Sequence, residues 1–413
     1  MKILMINKFF YRRSGVEAYM FDFIDLLRQN GHQVIEFSMQ DEKNNYSKFA
    51  QYFIKNLDFN KREGLWKDLK KALHLLYSFE ARNKLEKLIL KEKPEIAHLH
   101  NVYFHLTPSI LAVLKKHKIP VVWTMHDYHL ICPNYKLFTQ DAICERCKIH
   151  KYYNCFKYRC IKNTSSQSFL AMLEMYLHKV ILRSYKYVDL FIAPSKFMAK
   201  KLIEWRIENK KVKQVYNFIL FSSAFSSATK TEELGEGIVY FGRLGVEKGI
   251  FTLLEAMKKM SEIKLKLIGE GPERPEIENY IQANKLDNVT IHSHLLDKNK
   301  LFELVKNSRL VVLPSIWYEN NPISILEAFA LGKTVIGSNI GGIPELIKDG
   351  QTGFLFKLGE AADLAKKIKE NYNNSALLRK IGENAQKFVA EEFGAKKHYE
   401  DILNIYKGLV KNS

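Results

Sequence analysis

The stretch LVVLPSIWYENNPISILEAFALGKTVIGSNIGGIPELIKDGQTGFLF, Leu310 to Phe356, decides the fold. Leu310 to Leu313 form an apolar β-run that leads into a turn at Pro314-Ser315. A helix is expected from Pro322, with Asn320 and Asn321 as N-cap candidates and the proline in the first turn, where no N–H is needed. A helix that starts beside the carboxyl end of a strand aims free N–H groups and its positive dipole end into a crevice. Two carboxylates bracket that start: Glu319 just before it, and Glu327 eight positions on. Carboxylates accept hydrogen bonds in pairs, which suits the vicinal hydroxyls of a hexose or ribose. Alone, the two glutamates would be a dipole complement and an exposed side chain. What tips the balance is a second short strand, Thr334 to Ile336, with Gly337-Ser338 and a Gly-Gly-Ile-Pro-Glu turn (Gly341 to Glu345) after it. These are backbone-permissive positions, as needed where main chain approaches a ligand.

Outward from that stretch, 413 residues with 46% hydrophobic and 26% charged content suffice for two ordered domains. No apolar run reaches the ~20 residues that span a bilayer, and MKILMINKFF reads as a first strand rather than a signal peptide. A cytoplasmic protein is expected. The net charge of +19 is uneven: residues 1–220 hold 38 Lys and Arg against 20 Asp and Glu, the remainder 26 against 25. A basic half implies an anionic partner. With no nucleic-acid motif present, the inner membrane leaflet or a lipid-diphosphate acceptor fits better than nucleic acid.

The chain opens as strand, helix and strand: KILMINKFF, a loop through Ser14-Gly15, apolar spacing at Met20, Phe23, Ile24 and Leu27, and an Asn30-Gly31 cap. This βαβ start predicts a doubly wound domain. Residues 50–93 are Lys-rich, with a stripe of Leu65, Trp66, Leu69, Ala72, Leu73, Leu76 and Tyr77 flanked by Lys67, Lys70 and Lys71. The stripe is expected to pack on the core, with a membrane-surface helix as the alternative. EIAHLHN is a strand carrying His98 and His100, and VVWTMHDYHLICP one that ends at His126 and Asp127, where ligands collect in open α/β sheets. His129 is the poorer candidate. Cys144, Cys147, Cys155 and Cys160, in a C-x2-C-x7-C-x4-C spacing after Cys132, suit a tetrahedral thiolate site for structural zinc; redox thiols are the alternative. Ser195 is a helix N-cap, and VKQVYNF closes the first domain near Asn217. Ser-rich Phe221 to Gly237 reads as a linker.

The second domain, 237–390, opens with GIVYFGRLGVEKG. There Arg243 and Lys248 follow a strand and precede a helix, an arrangement that suits a diphosphate. Gly269 and Gly271 end the next strand, and NVTIHSHL is a further one.

The E-x7-E pair in YENNPISILEAFALGKTVIGS, with GGIPELI, DGQTGFLF and FGRLGVEKG, closely resembles the retaining group 1 glycosyltransferases (family four). The resemblance implies the GT-B fold: two doubly wound Rossmann-like domains facing each other across a cleft, with the helix at about 395–413 crossing back to the first domain, 1–217. The Cys-rich insert at 132–160 would shape the acceptor side. It implies Arg243 and Lys248 on the donor diphosphate, Glu319 on the donor sugar, Glu327 on the ribose, and main chain at Asn321, Pro322, Ile323 and Ser324 assisting. His126 would contact the donor sugar, and Gly15 and Gly269 would face the donor. The family usually has two glycines where this chain has Ser14-Gly15. No D-x-D metal motif is present, so the two cations would replace a divalent ion. The implied activity is retaining, metal-independent transfer from a nucleotide sugar, UDP-linked by preference, to a glycan or lipid-linked acceptor in bacterial surface polysaccharide synthesis. A GT-B epimerase or phosphorylase, and a non-catalytic membrane- or nucleic-acid-binding scaffold, are the rivals.

Overall fold

The computed structural model describes residues 1–59, 61, 63–220, 234–293 and 297–411. These cluster into two compact units. One comprises Met1–Gln140, Cys144–Tyr216 and the chain from His398; the other comprises Asp141–Ile143 and Asn217–Lys397. Each carries a six-stranded parallel sheet among the described residues. No helix among them is long and apolar enough to cross a membrane. The expected linker lies, for residues 221–233, outside the described residues.

The first unit runs β1 (Lys2–Ile6), α1 (Gly15–Gln29), β2 (Gln33–Phe37), α2 (Leu65–Leu76), α3 (Phe79–Glu92), β3 (Ile96–Leu99), α4 (Ile110–Lys116), β4 (Val121–Thr124), α5 (Tyr153–Lys157), α6 (Ser165–Met175), β5 (Leu190–Ala193), α7 (Lys196–Glu204) and β6 (Val212–Gln214). The strand order is β2-β1-β3-β4-β5-β6, so the winding reverses between β1 and β3, which pair in register from Ile3↔Ile96 to Ile6↔Leu99. Short, wholly apolar strands such as Ile3 to Ile6 are buried because helices cover both faces. α1 buries Met20, Phe23, Ile24 and Leu27 and ends where Gly31 takes a left-handed φ of 76°. Ser195 Oγ accepts the Met198 N–H at 3.0 Å and caps α7.

One expectation fails here. The α2 stripe does not pack on the core: no residue of this helix is buried, and Leu65, Trp66, Leu69 and Leu73 stand in solvent. The helix touches the unit towards its C-terminal end, where the stripe's own Leu76 and Tyr77, with Leu75, are half-buried and the Leu76 carbonyl accepts from His178 at 2.8 Å.

The second unit runs β7 (Ile238–Phe241), α8 (Ile250–Met257), β8 (Leu265–Ile268), α9 (Arg274–Ala283), β9 (Val289–His292), α10 (Lys298–Lys306), β10 (Leu310–Leu313), α11 (Ile323–Ala330), β11 (Val335–Ser338), α12 (Ile343–Leu346), β12 (Gly353–Phe356), α13 (Ala361–Tyr372) and α14 (Ser375–Glu392). Strand order β9-β8-β7-β10-β11-β12 places the reversal between β7 and β10, paired at Leu310↔Ile238 and Val311↔Val239. The loops that leave these two strands lie at the carboxyl edge of the sheet, the position where doubly wound sheets bind ligands. The last helix, α15 (Ala395–Lys411), belongs to the first unit from His398 on: His398 Nε2 meets Tyr19 Oη at 2.9 Å and Tyr406 Oη meets His98 Nδ1 at 2.5 Å.

Candidate active site

In the second unit, the loop after β7 is built by close main-chain packing. A Cβ on Gly269 would lie 1.9 Å from the Gly242 carbonyl oxygen, and one on Gly271 1.9 Å from that of Leu244. Leu244 N–H donates to Glu270 O at 2.9 Å, and the Tyr240 hydroxyl to Arg243 O at 2.7 Å. Gly269 is thus required by backbone against backbone. The loop then makes a 3-10 turn, Val246–Lys248, and Gly249 takes a left-handed φ of 65° with its α-carbon against the Pro314 carbonyl. Both loops at the switch point are welded together there. Ile316 N–H to Glu247 O, at 3.0 Å, adds a second tie.

That weld brings the predicted groups side by side. Lys248 Nζ lies 2.6 Å from Glu319 Oε1, and Ser315 Oγ donates to the same oxygen at 2.7 Å. Lys248 also sits 5.2 Å from the centre of the Trp317 ring. Glu319 is buried, so its charge rests on these two donors. Its main chain is fixed from the other side: Gly342 N–H donates to Glu319 O at 2.7 Å, and Gly341, at φ 59°, lies so close that a Cβ would fall 2.4 Å from that oxygen. The Gly-Gly-Ile-Pro-Glu turn thus braces Glu319, a role beyond ligand approach. Arg243 is more exposed, 3.5 Å from the buried Glu247.

Helix α11 starts one residue later than the sequence suggested: Pro322 is the N-cap, at ψ 113°, and Ile323 the first helical residue. Proline carries no side-chain acceptor, so no capping bond forms, and the first N–H groups of α11 have no partner within the helix. Asn321 does not cap. It is buried at 5% exposure, and both Nδ2 and Oδ1 lack a hydrogen-bond partner among the described residues. A buried carboxamide left unsatisfied costs about 1–3 kcal/mol unless a ligand or water meets it. Glu327, on the first turns of α11, faces Lys298 Nζ at 3.2 Å.

In the first unit, Gly15 opens α1 after Ser14, whose hydroxyl donates to Glu17 at 2.5 Å rather than capping the helix. Beyond β4, His126 Nε2 meets His100 Nδ1 at 2.9 Å, and His98 Nε2 meets Thr124 Oγ1 at 2.7 Å. Burial lowers His126 and His98 to about 3, so both rings are neutral at ordinary pH. Asp127 accepts from the Tyr103 hydroxyl and the His129 N–H, and burial raises its pKa. His129 is wholly buried, 3.4 Å from Glu174.

The cysteines need a correction. All five are free, and among the described residues no group of three or more His, Cys, Asp or Glu could hold a metal; the site expected at Cys144, Cys147, Cys155 and Cys160 is not formed. Instead the thiols partner locally. Cys155 hydrogen-bonds Cys160, which lowers Cys160, and Cys144 takes a contact from Arg146 at 3.7 Å. Burial keeps Cys132 protonated, its pKa pushed up to about 12.

Glu247 escaped notice in the sequence, Ser315 was read only as a turn residue and His100 only as a strand residue. His98 and His100 did carry a signal, since residues two apart share one face of a strand. Ser315 and Glu247 carried none, because their roles come from the weld between two loops far apart in sequence.

The "Glycosyltransferase Family 4" profile matches residues 13–220, and the "Glycosyl transferases group 1" profile residues 224–388. N-acetyl-alpha-D-glucosaminyl L-malate synthase of Bacillus anthracis is 27% identical over 54% of this chain and 61% of its own length. Four such curated relatives are matched over 40% to 61% of their lengths. The capsular polysaccharide biosynthesis glycosyltransferase CapM of Staphylococcus aureus is 24% identical over 84% of this chain and 85% of its own. Among solved structures, Anabaena HepE in complex with UDP and glucose superposes with a TM-score of 0.63 at 18% identity, over 98% of this chain and 99% of its own.

Proposed function

The chain belongs to glycosyltransferase family 4, the group 1 glycosyltransferases, with the two Rossmann-like domains of the GT-B fold, and we propose that it is a retaining enzyme that moves a sugar from a UDP-sugar to a glycan or lipid-linked acceptor in surface polysaccharide assembly. The observation that carries this reading is the Lys248–Glu319 pair at the β7/β10 switch point, with the buried Asn321 carboxamide, unpartnered among the described residues, two positions on.

The roles follow from the chemistry of each group. Arg243, Lys248 and the N–H groups at Ile323 and Ser324 stabilise the negative charge that develops on the leaving diphosphate. The two fixed cations do this without a divalent ion. Glu319, held by Lys248 and Ser315, accepts hydrogen bonds from the sugar hydroxyls, and Glu327 from the ribose. Among the described residues no side chain is a nucleophile aimed by a base, which agrees with the front-face attack, and so the retention, that the family resemblance implies. His126 lies in the first domain. With a pKa of about 3 it acts as a neutral hydrogen-bonding ring, not as a proton carrier. The acceptor belongs to the basic first domain, at the cytoplasmic face of the membrane.

The capsular relative supports the pathway, and the UDP complex of HepE the donor class. A thermal-shift series with UDP, GDP, ADP and their sugar conjugates tests the reading. UDP or its conjugates should stabilise the protein, and no response to any nucleotide would overturn it.

A further inference from the structure

We propose that the exposed face of α2, with the apolar side chains beside it on α5, α6 and the π-turn Tyr176–Ile181, docks the first unit on an anionic phospholipid surface. The proposal does not depend on the transfer reaction; it concerns where the protein sits.

The face is built from residues that a water-exposed helix has no reason to carry. Leu65 is 84% exposed, Trp66 77%, Leu69 49% and Leu73 57%, all on one helix. Lone exposed apolar residues are ordinary, but a contiguous run marks an interaction site. α2 packs against α6, and it is tied to the π-turn by His178 Nε2 to Leu76 O at 2.8 Å and by the Tyr77 ring stacked on His178 at 6.0 Å. The adjoining elements add exposed Phe156 and Phe169, whose rings meet at 5.5 Å, and Ile181 at 70% exposure.

Charge selects the partner. Lys67 and Lys70 stand in solvent beside the stripe. Residues 146–188, which include α5, α6 and the π-turn, hold nine Lys and Arg and a single carboxylate, Glu174, which is fully buried. These elements therefore show solvent cations and apolar groups but no carboxylate. Two carboxylates lie near the stripe, and both are engaged: Glu63, on the turn before α2, is held by Lys71 at 2.6 Å, and half-buried Asp68, in the first turn of α2, accepts from the Glu63 N–H at 3.1 Å. A second copy of the chain would set like charges against each other. Nucleic acid would meet the cations and leave the leucines unmatched. A leaflet of anionic lipid answers both features: basic side chains at the phosphates, with Trp66 and the leucines just below them.

The test is co-flotation of the full chain with vesicles of phosphatidylglycerol mixed with phosphatidylcholine, against vesicles of phosphatidylcholine alone. Two variants are compared: Leu65→Ser with Trp66→Ser, and Lys67→Gln with Lys70→Gln. All four side chains stand in solvent, so the fold and the nucleotide response should persist in both. The wild type should float with the anionic vesicles and not with the neutral ones. Each apolar replacement should reduce partitioning roughly tenfold or more, and each lysine replacement about fivefold, in a salt-sensitive manner. The proposal is overturned by no binding to anionic vesicles or by binding unchanged in both variants. It is overturned equally by a stable dimer that the first variant dissolves.

Discussion

Gly341→Ala isolates the brace on Glu319. The substitution places a methyl 2.4 Å from the Glu319 carbonyl oxygen and 2.8 Å from its nitrogen, about 1 Å inside ordinary contact. Gly341 also sits at φ 59°, which costs a residue with a Cβ roughly 1–2 kcal/mol. Relief requires the Glu319 main chain to retreat by ~1 Å, which breaks the 2.7 Å bond from Gly342 N–H and moves the carboxylate off Lys248. The bond adds about 1 kcal/mol to the loss. A displacement of ~1 Å in a positioning group can cost ~100-fold in rate. Gly359→Ala is the control: its φ is 71°, and nothing lies within 4 Å of the added carbon. It should lose stability by the strain alone. The assay is nucleotide diphosphate release from the preferred donor, followed beside thermal unfolding. The reasoning predicts that kcat/KM falls ~100-fold in Gly341→Ala and stays unchanged in Gly359→Ala. Equal kcat/KM in the two variants would refute it.

Two further outcomes are expected. Lys248→Ala strands the buried Glu319 charge and should destabilise the protein by about 3–5 kcal/mol, much of it restored when Glu319→Gln is added; chemical denaturation of both variants checks this. His98 and His126 near 3 and His398 near 4 are depressed by burial from 6.5, so between those values the unfolded chain binds more protons than the folded one. Stability should therefore fall as pH drops from about 6.5 towards 4, by up to ~1.4 kcal/mol per pH unit for each histidine, and thermal unfolding across that range should flatten in His398→Gln.

How much of this was legible in the sequence depends on range. Local patterns carried the strands at Leu310–Leu313 and Val121–Thr124, the cap at Ser195 and the glycine at Gly31, because apolar runs and turn residues act on their neighbours. The start of α11 slipped by one residue because proline at the N-cap satisfies φ without offering an acceptor. Periodicity showed that α2 is two-faced, yet it cannot say which neighbours exist; here Leu65, Trp66, Leu69 and Leu73 of the stripe are left in solvent. Cysteine spacing showed proximity, and the thiols do crowd one another, with burial and then Cys132, Cys160 and Cys144 all raising Cys147, yet among the described residues no group of three or more is arranged to hold a metal. The hold of Gly341 on Glu319 and of Ser315 on the same carboxylate joins loops that only the fold brings together.

The central claim is that the β7/β10 switch point holds a nucleoside diphosphate, and nucleotide-induced stabilisation of the wild type beside Arg243→Ala tests it most directly. UDP at ~100 times its dissociation constant should stabilise the wild type by ~2.7 kcal/mol. Arg243 is exposed and its ion pair with Glu247 is long, at 3.5 Å, so its removal should leave the unliganded protein intact while abolishing most of the UDP response. A UDP response that survives in Arg243→Ala, or no response in the wild type, would contradict the account.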